Sequence, residues 1–255
     1  MKSFFNHRVL LVVTGASRGL GLEIVTQFVP KLKDGSVVLL MARNGDKLKA
    51  NCEKLKEAHP GMTFEFFVSD NAKATYGDYE TLLKDKLKAE PEEVVVVHNA
   101  GSLGNIQKSL YTQTDAAEID EFLASNVRHP ILLTNAVIAL AKVPVYFLNI
   151  SSLAAVKPMP DIGLYSVAKA SRKMFFDCLA QEKPELRVLQ YSPGPLDTDM
   201  MTEIRECTRE SLASMARTVK ENGTLLSAQQ TVEKLCDIIE KAAVKSGDHV
   251  DYFDR

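Results

Sequence analysis

Short apolar runs recur along this chain, each closed by a glycine, proline or small polar cluster and followed by a longer stretch in which apolar residues return at helical spacing. Arg8–Val13, Ser36–Met41, Thr63–Val68, Val94–Val97, Val143–Ile150 and Arg187–Tyr191 read as strands, with His249–Phe253 a short last one. A run such as Val94-Val95-Val96-Val97 has no polar face, so both its sides must be covered, as in a parallel sheet between two helix layers. Helical spacing begins near Leu20 and returns over Asp46–His59, Tyr76–Lys88, Glu118–Leu140 (interrupted by Pro130), Leu164–Gln181 and Thr231–Lys245. Residues 202–226 are polar and weakly periodic, which predicts a mobile lid with short helices; 194–226 as a whole is the expected substrate-covering loop. No repeat, low-complexity tract or linker interrupts the alternation, which predicts one α/β domain over 1–255, a doubly wound parallel sheet of order 3-2-1-4-5-6-7.

Composition narrows the partners. With 255 residues and 45% hydrophobic content the chain can bury a large core, and 31 Lys and Arg against 33 Asp and Glu leave no global field for nucleic acid or an anionic membrane. Only five apolar residues, Val9 to Val13, precede Thr14-Gly15, too few for a signal-peptide core or a membrane span, so a cytoplasmic protein acting on a small molecule is expected. Cys52, Cys178, Cys207 and Cys236 stand singly and read as reduced thiols, the five histidines are scattered, and no metal site is predicted.

The candidate chemistry lies at the strand ends, where ligands of such sheets bind. After the first strand, Gly15, Gly19 and Gly21 form a turn before a helix whose positive end would face a pyrophosphate. The second strand ends in Ala42-Arg43-Asn44, where an acidic residue would hold the ribose hydroxyls of NAD; Arg18 and Arg43 favour the 2'-phosphate of NADP instead. Asp70 ends the third strand, either to meet an adenine edge or to cap a helix, and small residues in Asn99-Ala100-Gly101 let the chain pass beneath a ribose. Pro130 cannot donate to the Asn126 carbonyl, which leaves that oxygen for a water or marks a plain kink. The fifth strand ends at Ser151-Ser152. Thirteen residues after Ser152, Tyr165 and Lys169 share a helix face. A free phenol titrates near ~10, so acid/base work near neutrality needs a shift of roughly 3 units, about 4 kcal/mol, which a neighbouring ammonium would supply. Alone, Tyr-x-x-x-Lys is an ordinary amphipathic helix; its company makes it a site.

With Thr14 to Gly21, Asn99-Ala100-Gly101, Asn126, Ser152, Tyr165-x-x-x-Lys169 and Pro193-Gly194-x-x-x-Thr198 in order, the chain resembles the short-chain dehydrogenase/reductase family from end to end. The resemblance implies a Rossmann-type fold and an NADPH-dependent carbonyl reductase in which Tyr165 donates the proton, Ser152 binds the carbonyl oxygen, Lys169 lowers the phenol pKa and holds the nicotinamide ribose, and Asn126 holds a relay water. It implies cofactor contacts from Gly15, Ala16, Ser17, Arg18, Gly19, Leu20, Gly21, Arg43, Asn44, Asp70, Asn71, Asn99, Ala100 and Gly101. Leu196, Asp197, Thr198, Asp199, Met200 and Met201 would cover the nicotinamide. The blocks Ala42-Arg43-Asn44, Ser102-Leu103-Gly104 and Ser246 to Tyr252 are similar to those of family members that reduce pterin side-chain ketones, which implies that Gly194 touches substrate, Asp251 anchors the pterin ring, and two copies pair through the helices over Glu118–Leu140 and Leu164–Gln181. His98 and Ser166-Val167-Ala168 depart from that pattern at positions without an assigned role. A broad diketone reductase and a nucleotide-binding regulator without turnover are the alternatives; an intact Ser152, Tyr165 and Lys169 speaks against the second.

Overall fold

A computed structural model describes residues 1–254. Seven parallel strands form one sheet in the order β3-β2-β1-β4-β5-β6-β7: β1 (Val9–Thr14), β2 (Val37–Ala42), β3 (Thr63–Val68), β4 (Glu93–His98), β5 (Val145–Ile150), β6 (Arg187–Ser192) and β7 (His249–Asp251). The order is the expected one. Side chains alternate along a strand, and the apolar runs are buried on both faces: Val9, Leu11 and Val13 enter one core with Ile24, Phe28, Leu235 and Ile239, whereas Leu10 and Val12 enter another with Leu133, Val137 and Phe176. The first core lies under α1 (Gly19–Phe28), α2 (Gly45–Ala58) and α9 (Ala228–Lys241); the second lies under α3 (Tyr76–Lys86), α5 (His129–Leu140) and α6 (Gly163–Glu182). Only the edge strand β3 leaves large apolar side chains, Phe66 and Val68, exposed.

Several element boundaries depart from the periodicity for identifiable reasons. The expected Glu118–Leu140 helix is two helices, α4 (Ala116–Leu123) and α5, joined by a π turn over Ala124–Arg128, and Pro130 sits in the first turn of α5. α4 starts early because the Asp115 carboxylate accepts from the Ala117 and Glu118 amides. α9 starts at Ala228 because Ser227 and Gln230 form a reciprocal cap, and it stops at Ala242, which takes a left-handed φ of 51°. β7 is three residues long where five were expected.

The stretch expected as a mobile lid with short helices contains α7 (Asp199–Arg205) and the longer α8 (Glu210–Glu221). Ile204, Leu212, Ala213 and Ala216 of these helices pack with Leu103, Ile106, Ile162 and Tyr165 in a third apolar cluster. Polar ties hold the same face: Arg209 pairs with Asp161 and donates to the Lys108 carbonyl, and Thr208 bonds Gln107.

Candidate active site

One groove of about 1710 Å³ runs along the carboxyl ends of the strands. Its first wall is the glycine turn. Gly15 (φ 69°) and Gly19 (φ 55°) take left-handed backbone that favours glycine. A Cβ on Gly15 would lie 2.9 Å from the Asn99 amide nitrogen, and one on Gly21 would lie 2.4 Å from the Gly15 carbonyl oxygen. Those two glycines therefore serve close packing within the protein. Gly19 has open space where its Cβ would be, so of the three it alone leaves room for a ligand. Asn99 straps the turn by donating to the Thr14 carbonyl at 2.9 Å, while the Thr14 hydroxyl accepts from the Asn99 and Ala100 amides.

Most predicted residues line this groove: Gly15, Ser17, Arg18, Gly19, Leu20, Arg43, Asn44, Asp70, Asn71, Asn99, Ala100, Gly101, Ser152, Tyr165, Lys169, Gly194, Leu196, Thr198, Asp199, Met200, Met201 and Asp251. Ala16, Gly21, Asn126 and Asp197 are not on its wall. Ala16 is in the core. Asn126 lies behind the wall in the π turn, its amide nitrogen bonded to the Phe122 carbonyl and its oxygen accepting from the Ser102 amide. Asp197 pairs with Arg205 at 3.4 Å. Asn44 caps α2, whereas Asp70 accepts from the Ala72 amide within a turn and pairs with Lys73; it caps no helix, since α3 is capped by Thr75, so the capping alternative for Asp70 does not hold and its place is on the wall. Arg18 is exposed and ion-paired with Asp199 of α7.

β5 delivers Ser151 and Ser152 to the middle of the groove, and α6 brings Tyr165 and Lys169 opposite them. The Lys169 ammonium donates to the Ile150 carbonyl at 2.8 Å and to the Ser151 carbonyl at 3.4 Å, and it sits 5.5 Å from the centroid of the Tyr165 ring. The expected lowering of the phenol pKa by Lys169 is not what this geometry produces. Burial pushes the Tyr165 phenol up, with the Ser152 hydroxyl and the Arg172 guanidinium acting against that rise. Lys169 is itself held well below its ordinary range by burial and by Arg172, which weakens the charge it was expected to contribute.

Sequence reasoning missed several parts of the site. His249, one of the scattered histidines, lines the groove and shares its Nε2 between the Ser192 hydroxyl at 2.8 Å and the Ser151 hydroxyl at 3.1 Å. Met159, Met215 and Val219 add apolar surface at the substrate end. Arg172 was missed too, although its spacing of three from Lys169 and seven from Tyr165 sets it on their face.

The profile of the short chain dehydrogenase family matches residues 9–209. The chain belongs to the short-chain dehydrogenase/reductase family. The sepiapterin reductases of Xenopus tropicalis and Rattus norvegicus are each 34% identical to it, the first over 96% of this chain and 97% of the relative, the second over 95% of both. A benzil reductase ((S)-benzoin forming) of Bacillus cereus is 27% identical over 93% of this chain and 96% of its own. Among solved structures, a short chain dehydrogenase/reductase of Saccharomyces cerevisiae superposes with a TM-score of 0.80 at 27% identity, covering 97% of this chain and 96% of that one. The KRED1-Pglu enzyme superposes at 0.79 with 26% identity, covering 95% and 100%. As a member of this oxidoreductase family, the protein acts with a nicotinamide cofactor on a small molecule. Among the described residues no helix is long and apolar enough to cross a membrane, and no cluster of His, Cys, Asp or Glu is fit for a metal.

Proposed function

We propose that the protein is an NADPH-dependent reductase of pterin side-chain ketones. The observation that carries the reading is that one continuous groove is lined by Arg18 and Arg43 at one end, by Ser152, Tyr165 and Lys169 in the middle, and by Asp251 at the other. The cofactor end fits the group: α1 has no side-chain cap, so its first amides are left for an anion, and Gly19 is open toward them. Arg18, Arg43 and Asn44 would hold the 2'-phosphate, Asp70 and Asn71 the adenine, and Lys169 the nicotinamide ribose. NADPH supplies a hydride when bound.

The chain's own residues handle the proton and the carbonyl. A phenol whose pKa is raised by burial is protonated at neutral pH, the state required of a donor in reduction. Tyr165 gives that proton to the carbonyl oxygen, and the Ser152 hydroxyl hydrogen-bonds the same oxygen. The Asp251 carboxylate, which accepts from the Phe253 amide at 3.0 Å, retains acceptor capacity for the ring N–H and amino group of a pterin. Copies would pair through α4, α5 and α6, a reading supported by exposed Val167 and Met174, seven residues apart on α6. A cytoplasmic location accords with the absence of a membrane-crossing helix among the described residues.

A second reading, a general diketone reductase, is favoured by the apolar substrate end, where Met159, Met200, Met201 and Met215 line the groove, and by the likeness to benzil reductase. Asp251→Ala separates the two. It should cost a sepiapterin-type substrate about 10 to 150-fold in kcat/KM, the equivalent of ~1.5 to 3 kcal/mol for a charge-assisted bond, and leave a small diketone nearly unchanged. Equal losses on both substrates would defeat the pterin reading.

A further inference from the structure

Tyr165, Lys169 and Arg172 stand at i, i+4 and i+7 on one face of α6, and all three are buried. Arg172 is 2% exposed and heads the large side chains withdrawn from solvent. Its guanidinium donates to the His98 carbonyl at 2.6 Å, to the Ala100 carbonyl at 2.9 Å and twice to the Asn149 side-chain oxygen, at 2.7 and 3.1 Å. These acceptors are neutral, and among the described residues no carboxylate pairs with it. A buried cation without a counter-ion is costly; burial brings its pKa down to about 10, still far above neutrality. A helix that needed only packing here would place an apolar residue.

The three acceptors explain where the cation acts. His98 and Ala100 belong to the open end of β4, and Asn149 belongs to β5 just before Ser151 and Ser152. Arg172 thus fixes the proton-donating face of α6 to both strands that form the groove floor. The charged and titratable groups around it are few. Lys169 shares its helix; His98 of β4 and His129 of α5 are held neutral by burial and by Arg172 itself. Asp177, further along α6, turns its carboxylate to Lys173 and to the Gln190 amide. Ser152 contributes only a hydroxyl.

We propose that Arg172 is a positioning residue for proton donation, which locks the Tyr165 and Lys169 face of α6 onto the ends of β4 and β5 and sets a buried positive charge within range of the phenol. Arg172 acts against the burial-driven rise of the Tyr165 phenol and adds to the lowering of Lys169, in agreement with that placement. The proposal rests on the reductase reading of the site.

The test is kcat against pH for NADPH-dependent reduction of a simple diketone by the intact wild type, R172Q and R172K. A wild type that reduces no carbonyl compound would end the reductase reading and this one with it; an active wild type separates them. Without the charge the phenol keeps its proton to higher pH, so the alkaline limb of R172Q should move up by about one pH unit. Its kcat should fall roughly tenfold or more, as for a displaced catalytic group. R172K should return the limb toward wild type while kcat stays low, because one ammonium cannot span three acceptors set for a planar fork. A folded R172Q whose limb coincides with wild type would overturn the proposal. Should R172Q fail to fold, R172K decides: a kcat lowered several-fold with the diketone KM within about twofold supports it, and wild-type kinetics overturns it.

Discussion

In the proposed reduction Tyr165 gives the proton, with a phenol whose pKa burial raises, and that role sets the expected cost of removing it. Tyr165→Phe should lower turnover by ~100 to 10,000-fold, the usual contribution of general acid catalysis, while NADPH binding measured by fluorescence titration persists. A mutant with half the wild-type turnover would show that another group gives the proton. Tyr165, Lys169 and Ser152 were legible in the sequence because the strand end and the four-residue helical spacing are local patterns. The electrostatics were not, since they depend on how far each group is withdrawn from water and on Arg172, whose charge reads along the chain as a solvated helix face. His249 was hidden for a related reason: it reaches Ser151 only through the pairing of β7 with β6.

Among elements, the strands were the most legible because a run buried on both faces has no polar position to confuse it. Helix ends depended on single capping side chains, Asp115 and Ser227, that periodicity does not weigh. The π turn at Asn126 needed knowledge of where its amide is satisfied, and α8 was obscured because its buried face is largely alanine and leucine between charged residues. The turn between β1 and α1 carries a sharp expectation at this scale. In Gly21→Ala the added methyl meets backbone at 2.4 Å, so the turn must shift, at a cost of roughly 1 to 3 kcal/mol typical of overpacking. Gly19→Ala meets nothing within 4 Å but must hold a φ of 55°, so it should unfold the protein less and disturb NADPH binding more. Melting temperature and cofactor affinity, measured on both variants, check the contrast; equal effects on both quantities would contradict it.

For the molecule as a whole, the second core carries a pH liability. His98 and His129 are buried in neutral form, the first well below its ordinary 6.5 and the second down to about 3, chiefly through burial. Above 6.5 neither state of the chain holds these protons. Below it the unfolded chain takes them up and the folded one does not, so stability should fall by about 1.4 kcal/mol per pH unit for His129 as pH drops from 6.5 toward 3, with His98 acting in the same direction. Denaturant titrations at pH 7 and pH 5 measure the difference, and equal unfolding free energies would contradict the burial of these rings as neutral groups. The pairing of Arg18 with Asp199 ties the glycine turn to the first turn of α7 across the groove. On the proposed NADPH reading, an incoming 2'-phosphate would have to take Arg18 from a resident carboxylate, and a departing one would be replaced by it, so Asp199 would compete for Arg18 and shorten the cofactor's residence. Both side chains are well exposed and such pairs are worth ~0.2 to 1 kcal/mol, which limits the gain from Asp199→Asn to about fivefold tighter NADPH, expressed as slower release in stopped-flow traces. An enzyme arranged in this way gives up a little affinity to let go of its spent cofactor sooner.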